Sequence, residues 1–189
     1  MKKNFVCFLI MTLALLLVCC KQTTGVDNVV DNPPAPIDEP VNVPVDEVKT
    51  EIVTLTLYFP DNDALYLHPE KREVEISKGQ LLEEVVVSEL FKGPESEELS
   101  QCLSGENLVN SIVTDAEGNC VVDFKRDFIL LNTGGSTRES FAMGSIVNSL
   151  CELENVNSVA ITFDGESNVE FGHYLLESSM LPMTDLVKS

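Results

Sequence analysis

The fold is decided by the stretch STRESFAMGSIVNSL, residues 136–150. It opens with Ser136 and Glu139 at capping-box spacing, in which two side chains satisfy free N–H groups at a helix start. Apolar residues then recur at the intervals of one helix face: Met143, Ile146, Val147 and Leu150. The segment therefore predicts an amphipathic helix whose apolar face packs on a sheet.

The residues before this helix predict three short strands and one more helix. Residues 52–59 alternate apolar and polar side chains, and 65–67 and 73–76 form two shorter runs around a His68-Pro69 turn. Ser77 and Gln80 have capping-box spacing. Apolar residues follow at helical intervals as far as Gly93-Pro94: Leu81, Leu82, Val85, Val86 and Leu90.

The rest of the chain supplies a hairpin and a final strand. A polar turn at 115–119 lies between two apolar runs, 109–113 and 120–124, and this pattern predicts a hairpin. A further strand is predicted at 158–163, after the helix at 136–150. The predicted order is β-β-β-α-β-β-α-β with a short tail. Helices separated by hairpins predict an α+β two-layer sandwich, with a mixed or antiparallel sheet and both helices on one face. Leu65-Tyr66-Leu67 and the strand around Ile112 are the candidate exposed edges.

The N-terminus has the pattern of an export signal. Lys2 and Lys3 precede an apolar run over residues 5–18, and polar residues begin after Cys19-Cys20. The run is short for a membrane-spanning helix, which needs roughly 20 residues. A plain transmembrane anchor is the alternative. We expect residues 1–19 to be a signal peptide.

A tether and one domain are predicted to follow. The segment 20–49 contains no aromatic residue and five of the nine prolines: Pro33, Pro34, Pro36, Pro40 and Pro44. Such composition cannot bury a face and is typical of a disordered, semi-rigid linker. Residues 50–189 are then long enough for a single core.

The charge balance argues against nucleic acid as a partner. The chain has 31 acidic against 12 basic residues and a formal net charge of −19. A polyanion is bound through clustered Lys and Arg, and only the pairs Lys71-Arg72 and Lys125-Arg126 are adjacent in the folded part. An anionic membrane would also repel the chain, so membrane attachment requires a covalent lipid.

Six short motifs, in this order along residues 52–180, resemble the GerMN domain of sporulation and spore-germination lipoproteins. They are LTLYFP at 55–60, ELFKGP at 89–94, VVDF at 121–124, GGS at 134–136, IVNSL at 146–150 and ITFDG at 161–165. The chain is similar to a single-domain version of this family. The resemblance implies a βαββα-type sandwich akin to a ring-building motif, no catalytic activity, and a scaffold or assembly role.

Leu17-Val18-Cys19-Cys20 resembles the lipobox of bacterial lipoproteins. That resemblance implies lipidation at Cys20, with cleavage after Cys19. Cys19 is the alternative site, but Val18 would then occupy the position before the lipidated residue, where a small side chain is usual. Several acyl chains on one residue give stable anchoring at the extracytoplasmic face of the cell membrane.

Residues with catalytic or ligand-binding potential are few. His68 and His173 lack a nucleophile-elbow motif nearby, and Gly134-Gly135 lack the Lys of a phosphate loop. Asp61-Asn62-Asp63 lacks the spacing of a calcium loop, and Asp123 is interpreted as structural. The sequence therefore assigns no catalytic residue, cofactor or metal site.

The domain cysteines Cys102, Cys120 and Cys151 lack zinc-site spacing. Buried thiols are the simpler interpretation, with a Cys102–Cys120 disulfide as an open alternative, since export permits disulfide formation.

Two functional hypotheses follow. The first is a non-enzymatic, membrane-tethered adaptor or assembly module of the bacterial cell envelope, related to sporulation or germination, whose partners are envelope proteins or further copies of itself. The second is an envelope enzyme, or a protein that binds a cell-wall fragment or a cation through His173 or an acidic cleft. A pocket with strongly perturbed titrating groups would favour the second hypothesis.

Overall fold

The computed structural model describes residues 49–176 and 178–188. The signal peptide of residues 1–19, the lipidation site Cys20 and all but the last residue of the 20–49 linker lie outside the described residues.

The first structural unit is a hairpin of two long strands, β1 (Thr50–Pro60) and β2 (Leu67–Ser77), paired antiparallel over their whole length. The expected break into three strands was wrong, because His68-Pro69 lies inside β2. Pro69 stands opposite Tyr58, whose N–H points away from β2 and donates to Ser149 Oγ at 2.9 Å. At such a non-hydrogen-bonded pair, the missing N–H of proline removes no bond from the ladder. Leu65 and Tyr66 therefore belong to the hairpin loop and form no separate strand.

The second unit is a three-stranded mixed sheet in the order β3-β4-β5. Strands β3 (Val109–Thr114) and β4 (Asn119–Phe124) form the expected antiparallel hairpin, and β5 (Ser158–Phe163) pairs parallel with β4. A parallel pair requires a crossover connection. Helices α2 (Asp127–Asn132) and α3 (Ser136–Leu150) supply it.

The α+β class with mixed sheets is confirmed, although the order of elements differs from the expected one. Helix α1 spans Leu82–Lys92 and begins beyond the Ser77–Gln80 box: Gln80 Oε1 accepts the N–H of Ser77, but the residue before the helix is Leu81. Sequence periodicity missed α2 and the hairpin of β6 (Val169–Phe171) and β7 (Tyr174–Leu176), because each is too short to show a period.

Helix α3 is the centre of the domain. Every residue from Phe141 to Leu150 is buried, so this part of the helix is covered on all sides and not on one face alone. It packs against β1, α1 and β5. The predicted core residues Met143, Ile146, Val147 and Leu150 are all fully buried.

Two serines join α3 to the edge of β1. Tyr58 N–H donates to Ser149 Oγ at 2.9 Å, and Ser145 Oγ donates to the carbonyl oxygen of Tyr58. Ser145 and Ser149 lie four residues apart, on the same face of the helix. Both are fully buried, so their hydroxyls satisfy backbone groups that would otherwise be buried without partners.

Phenylalanine rings fill the space between α2 and the mixed sheet. The ring centroids of Phe124 and Phe128 are 4.3 Å apart, and those of Phe128 and Phe171 are 5.7 Å apart. Phe128 is thus the contact that holds the short helix α2 on the sheet, and Phe171 attaches β6 to the same cluster.

We predict that Val147→Asp unfolds the domain. Val147 is fully buried, and an unpaired carboxylate there costs about 4 kcal/mol of unfolding free energy or more. Thermal and urea unfolding measure the loss. Leu130→Asp is the control, since Leu130 is 79% exposed, and we expect it to melt like wild type. A Val147→Asp variant that melts with wild type would contradict the central position of α3.

Candidate functional site

The carboxylate of Glu139 closes the N-terminal end of α3. It is 2% exposed and accepts the N–H groups of Gly134 at 3.1 Å, Gly135 at 3.2 Å and His173 at 2.9 Å, together with His173 Nδ1 at 2.7 Å. The expected capping box is therefore only half formed: Ser136 is the first helical residue and does not cap, whereas Glu139 reaches back to the preceding glycines.

The turn between β6 and β7 is shaped around this carboxylate. Gly172 has φ +57°, and a Cβ atom there would lie 2.0 Å from the Glu139 carboxyl carbon. Hydrogen bonds from the His173 side chain, from Gly134 and from the His173 backbone lower the pKa of Glu139 from 4.5 to about 2. The cluster joins the start of α3 to the β6–β7 hairpin, so the role of His173 here is structural.

His68, near the start of β2, has a similar role beside the hairpin loop. Its Nε2 lies 3.3 Å from Asp61 Oδ2, while Asp61 Oδ1 accepts the N–H of Leu65 at 2.8 Å. Asn62 accepts the Ser100 hydroxyl at 2.6 Å and donates to the carbonyl oxygen of Glu97. The Asp61-Asn62-Asp63 oxygens are thus largely used to close the loop and to attach it to residues 97–100.

A buried arginine cluster escaped the sequence analysis. Arg72 is 5% exposed and donates to Glu70 at 2.6 Å, to Glu89 at 2.9 Å and to the carbonyl oxygen of Gly93 at 2.8 Å. The guanidinium also lies 5.8 Å from the centre of the Phe59 ring. Arg72 therefore joins β2 to α1 inside the domain. Because its side chain is buried, it cannot form a basic surface patch with Lys71.

Asp123 has the structural role expected of it, through hydrogen bonds at the end of β4. Its carboxylate accepts Thr162 Oγ1 at 2.6 Å, the N–H of Gly165 at 2.8 Å and Asn110 Nδ2 at 3.0 Å. These bonds tie β3, β4 and β5 together at one end of the sheet.

The three described cysteines are free thiols. Cys102 Sγ donates to Ser145 Oγ at 3.2 Å, and burial raises the pKa of Cys102 to about 11. Burial, with the neighbouring Cys120 and Glu152, raises the pKa of Cys151 to about 11. The Cys102–Cys120 disulfide is not formed, and thiols with raised pKa values are poor nucleophiles at neutral pH.

An open cleft of about 620 Å³ runs between α1 and β3. Its helical wall is formed by one face of α1, and its other wall by residues 105–112 before and along β3. The helical residues are Glu84, Ser88, Phe91 and Lys92. No described strand pairs with this side of β3, so the cleft lies along an open sheet edge. We call it the α1–β3 groove.

Over 49–176 and 178–188, no group of three or more His, Cys, Asp or Glu side chains is placed to hold a metal ion. In that same part of the chain, no helix has the length and apolar character needed to cross a membrane.

Comparison with known proteins identifies one family. The family model described as "Germane: Sporulation and spore germination" matches residues 56–169. The first GerMN domain of the sporulation protein GerM from Bacillus subtilis aligns at 16% identity and TM-score 0.55, covering 70% of this chain and 99% of that one. The tandem GerMN domains of the same protein align at 20% identity and TM-score 0.56, covering 76% of this chain and 49% of theirs. These likenesses show a shared fold. No curated protein matches.

We predict that the stability provided by the Glu139 cluster is lost at low pH. A carboxyl group whose pKa falls on folding from 4.5 to about 2 stabilises the fold fully above pH 4.5, and that contribution disappears as the pH falls towards 2. Glu139→Gln should therefore be less stable than wild type at neutral pH, with the difference shrinking across this window. Urea unfolding at several pH values measures it, with the exposed Glu154→Gln as control. A difference between wild type and Glu139→Gln that is independent of pH would contradict the assignment.

Proposed function

Because the chain belongs to the Germane family of sporulation and spore germination proteins, matched over residues 56–169, we propose that it is a membrane-tethered, non-enzymatic lipoprotein of the bacterial cell envelope. In this proposal the folded domain acts as an adaptor or assembly module for envelope proteins in sporulation or germination. Membership of the family is the observation that carries the proposal, and the domain's own chemistry supports it.

The polar clusters of the domain support a non-enzymatic role. Three groups with reactive potential are held by structural partners: His173 by Glu139, His68 by Asp61 and Cys102 by Ser145. Nucleophilic catalysis requires a nucleophile hydrogen-bonded to its base. Among the described residues, the hydrogen bonds of the two histidine rings run to carboxylates and not to a hydroxyl or thiol.

The tether is proposed from the N-terminal sequence. A lipid at Cys20 would anchor the mature chain, and the proline-rich segment that follows would separate the domain from the membrane. At about 3.1 Å per residue, an extended proline-rich spacer of this length reaches many tens of ångströms. Such a reach suits a domain that contacts proteins standing above the lipid headgroups.

The proposed lipid anchor is tested at the two adjacent cysteines. Cys20→Ala should stop incorporation of a labelled fatty acid and should leave the protein soluble or as an uncleaved precursor, because the acylated thiol and the processing site are the same residue. Cys19→Ala is the matched control and should still be labelled. Membrane fractionation with metabolic labelling decides between them. Label retained in Cys20→Ala but lost in Cys19→Ala would move the lipid to Cys19, and a wild-type chain that incorporates no label would overturn the lipoprotein proposal.

The second prediction separates the adaptor from an envelope enzyme or ligand-binding protein. His68→Ala and His173→Ala should keep the cellular phenotype of the wild-type protein wherever melting shows them to be folded. Crosslinking of the intact lipoprotein in membranes, followed by mass spectrometry, should identify the same envelope proteins for both variants. Loss of the phenotype in a folded, membrane-bound histidine variant with its protein partners retained would favour the enzyme.

A further inference from the structure

We propose that the α1–β3 groove binds an extended, basic segment of an envelope protein, which adds a strand to the open edge of β3. This inference rests on the proposed adaptor function and gives it a site and a class of partner. Strand addition derives affinity from main-chain hydrogen bonds and selectivity from alternate side chains.

The hydrogen-bond register shows which backbone groups are free to bind. Asp115 N–H donates to the carbonyl oxygen of Asn119 across the β3–β4 turn, and Val113 stands opposite Val121 two residues farther along. Because bonding alternates along an antiparallel pair, Val113 bonds to β4, while Ile112 and Thr114 direct their N–H and C=O groups outwards. These outward groups face the groove side of β3.

Parts of the β1, β2 and β5 edges are blocked or protected. Tyr58 in β1 is bonded to α3, and Val159 in β5 exchanges two backbone hydrogen bonds with Met180. The outward positions of β2 by the same alternation are Pro69, Lys71, Glu73 and Glu75, and proline and charge are the usual protection of an edge strand. The outer edge of β1 before Tyr58 has no described strand beside it either, but the Ile52 side chain there is 72% exposed, so that edge has no second wall at Ile52.

Helix α1 gives the β3 edge a second wall. Ser88 is exposed and Phe91 is half-buried, and both line the groove with Leu108 and Ile112. An added strand would direct alternate side chains towards the apolar lining formed by Phe91, Leu108 and Ile112. Its other side chains would face solvent and the acidic rim formed by Glu84 and Glu106.

Charge selects the occupant. Glu84 and Glu106 line the groove, and Lys92 is bonded to Glu89 at 2.5 Å. Residues 49–188 hold 25 acidic and nine basic residues, so the field over the groove is negative. The chain's own segment 21–48 has six acidic residues and one basic residue. Repulsion between like charges disfavours binding of that segment in the groove, whether it comes from the same chain or from a second copy. Attraction between opposite charges favours a basic strand from a different protein.

The test uses the whole chain in detergent, together with the isolated domain, residues 49–189, once its cooperative melting is established. The probe is a synthetic peptide of alternating Val and Lys residues, and a matched peptide carries Glu in place of Lys. We expect saturable binding of the Lys peptide alone, weakened by salt. Binding of both peptides with equal affinity would overturn the charge argument.

Three variants locate the binding site. Ser88→Trp fills the groove from an exposed helix position, and Ile112→Pro removes an outward N–H without removing a bond to β4. Glu84→Lys reverses a charge on the rim. Each should weaken binding of the Lys peptide by about tenfold or more, which is about 1.4 kcal/mol.

Matched controls exclude general effects. Thr54→Pro removes an outward N–H from the outer edge of β1, where no described strand lies. Glu154→Lys reverses an exposed charge outside the groove lining. Both variants should bind the Lys peptide like wild type. Ser88→Trp keeps the test decisive if Ile112→Pro fails to fold. Unchanged binding in Ser88→Trp and Glu84→Lys would overturn the proposed site. If the Lys peptide does not bind while crosslinking still captures envelope proteins, the adaptor stands and the groove proposal fails.

Discussion

The architecture depends on the joint between Tyr58 of β1 and the two buried serines of α3. A strand edge cannot be buried under a helix unless its N–H and C=O groups find partners, because each unsatisfied group costs about 1–3 kcal/mol. Ser145 supplies the donor and Ser149 the acceptor, at i, i+4 spacing, so α3 lies against the edge of β1 while its remaining surface meets α1 and β5. The first hairpin and the mixed sheet are thus held through a single helix in which every residue from Phe141 to Leu150 is buried.

The same joint determines which surfaces remain available. With one β1 edge position taken by α3 and the β5 edge paired with Met180, β3 is left with an open edge that has a helix beside it. The charged groups inside the domain, by contrast, are engaged in holding elements together: Arg72 clamps β2 to α1, and Glu139 ties the start of α3 to the β6–β7 turn. These charged groups therefore contribute to the stability of the domain.

Sequence reasoning succeeded where one physical period dominates a long segment. The helix at 136–150, the hairpin around 115–119 and the strand at 158–163 all appear as expected, because their apolar residues repeat at 3.6 or 2 positions. It failed at Pro69, where a proline inside a long strand was taken for a turn. Only the pairing partner shows that this proline stands opposite Tyr58, at a position that needs no N–H.

The sequence by itself determined the element types of the periodic segments, the acidic character of the domain and its resemblance to the GerMN family, since these depend on local patterns and composition. The tertiary structure alone decided how the polar residues are used. Glu139 and His173 are 34 positions apart, and Tyr58 and Ser149 are 91 apart. The periodicity of apolar residues along the sequence does not indicate such pairs, because the contact exists only when packing around α3 brings the two segments together. The open edge of β3 is likewise a property of the assembled sheets, since an edge is defined by the strands that do not lie beside it.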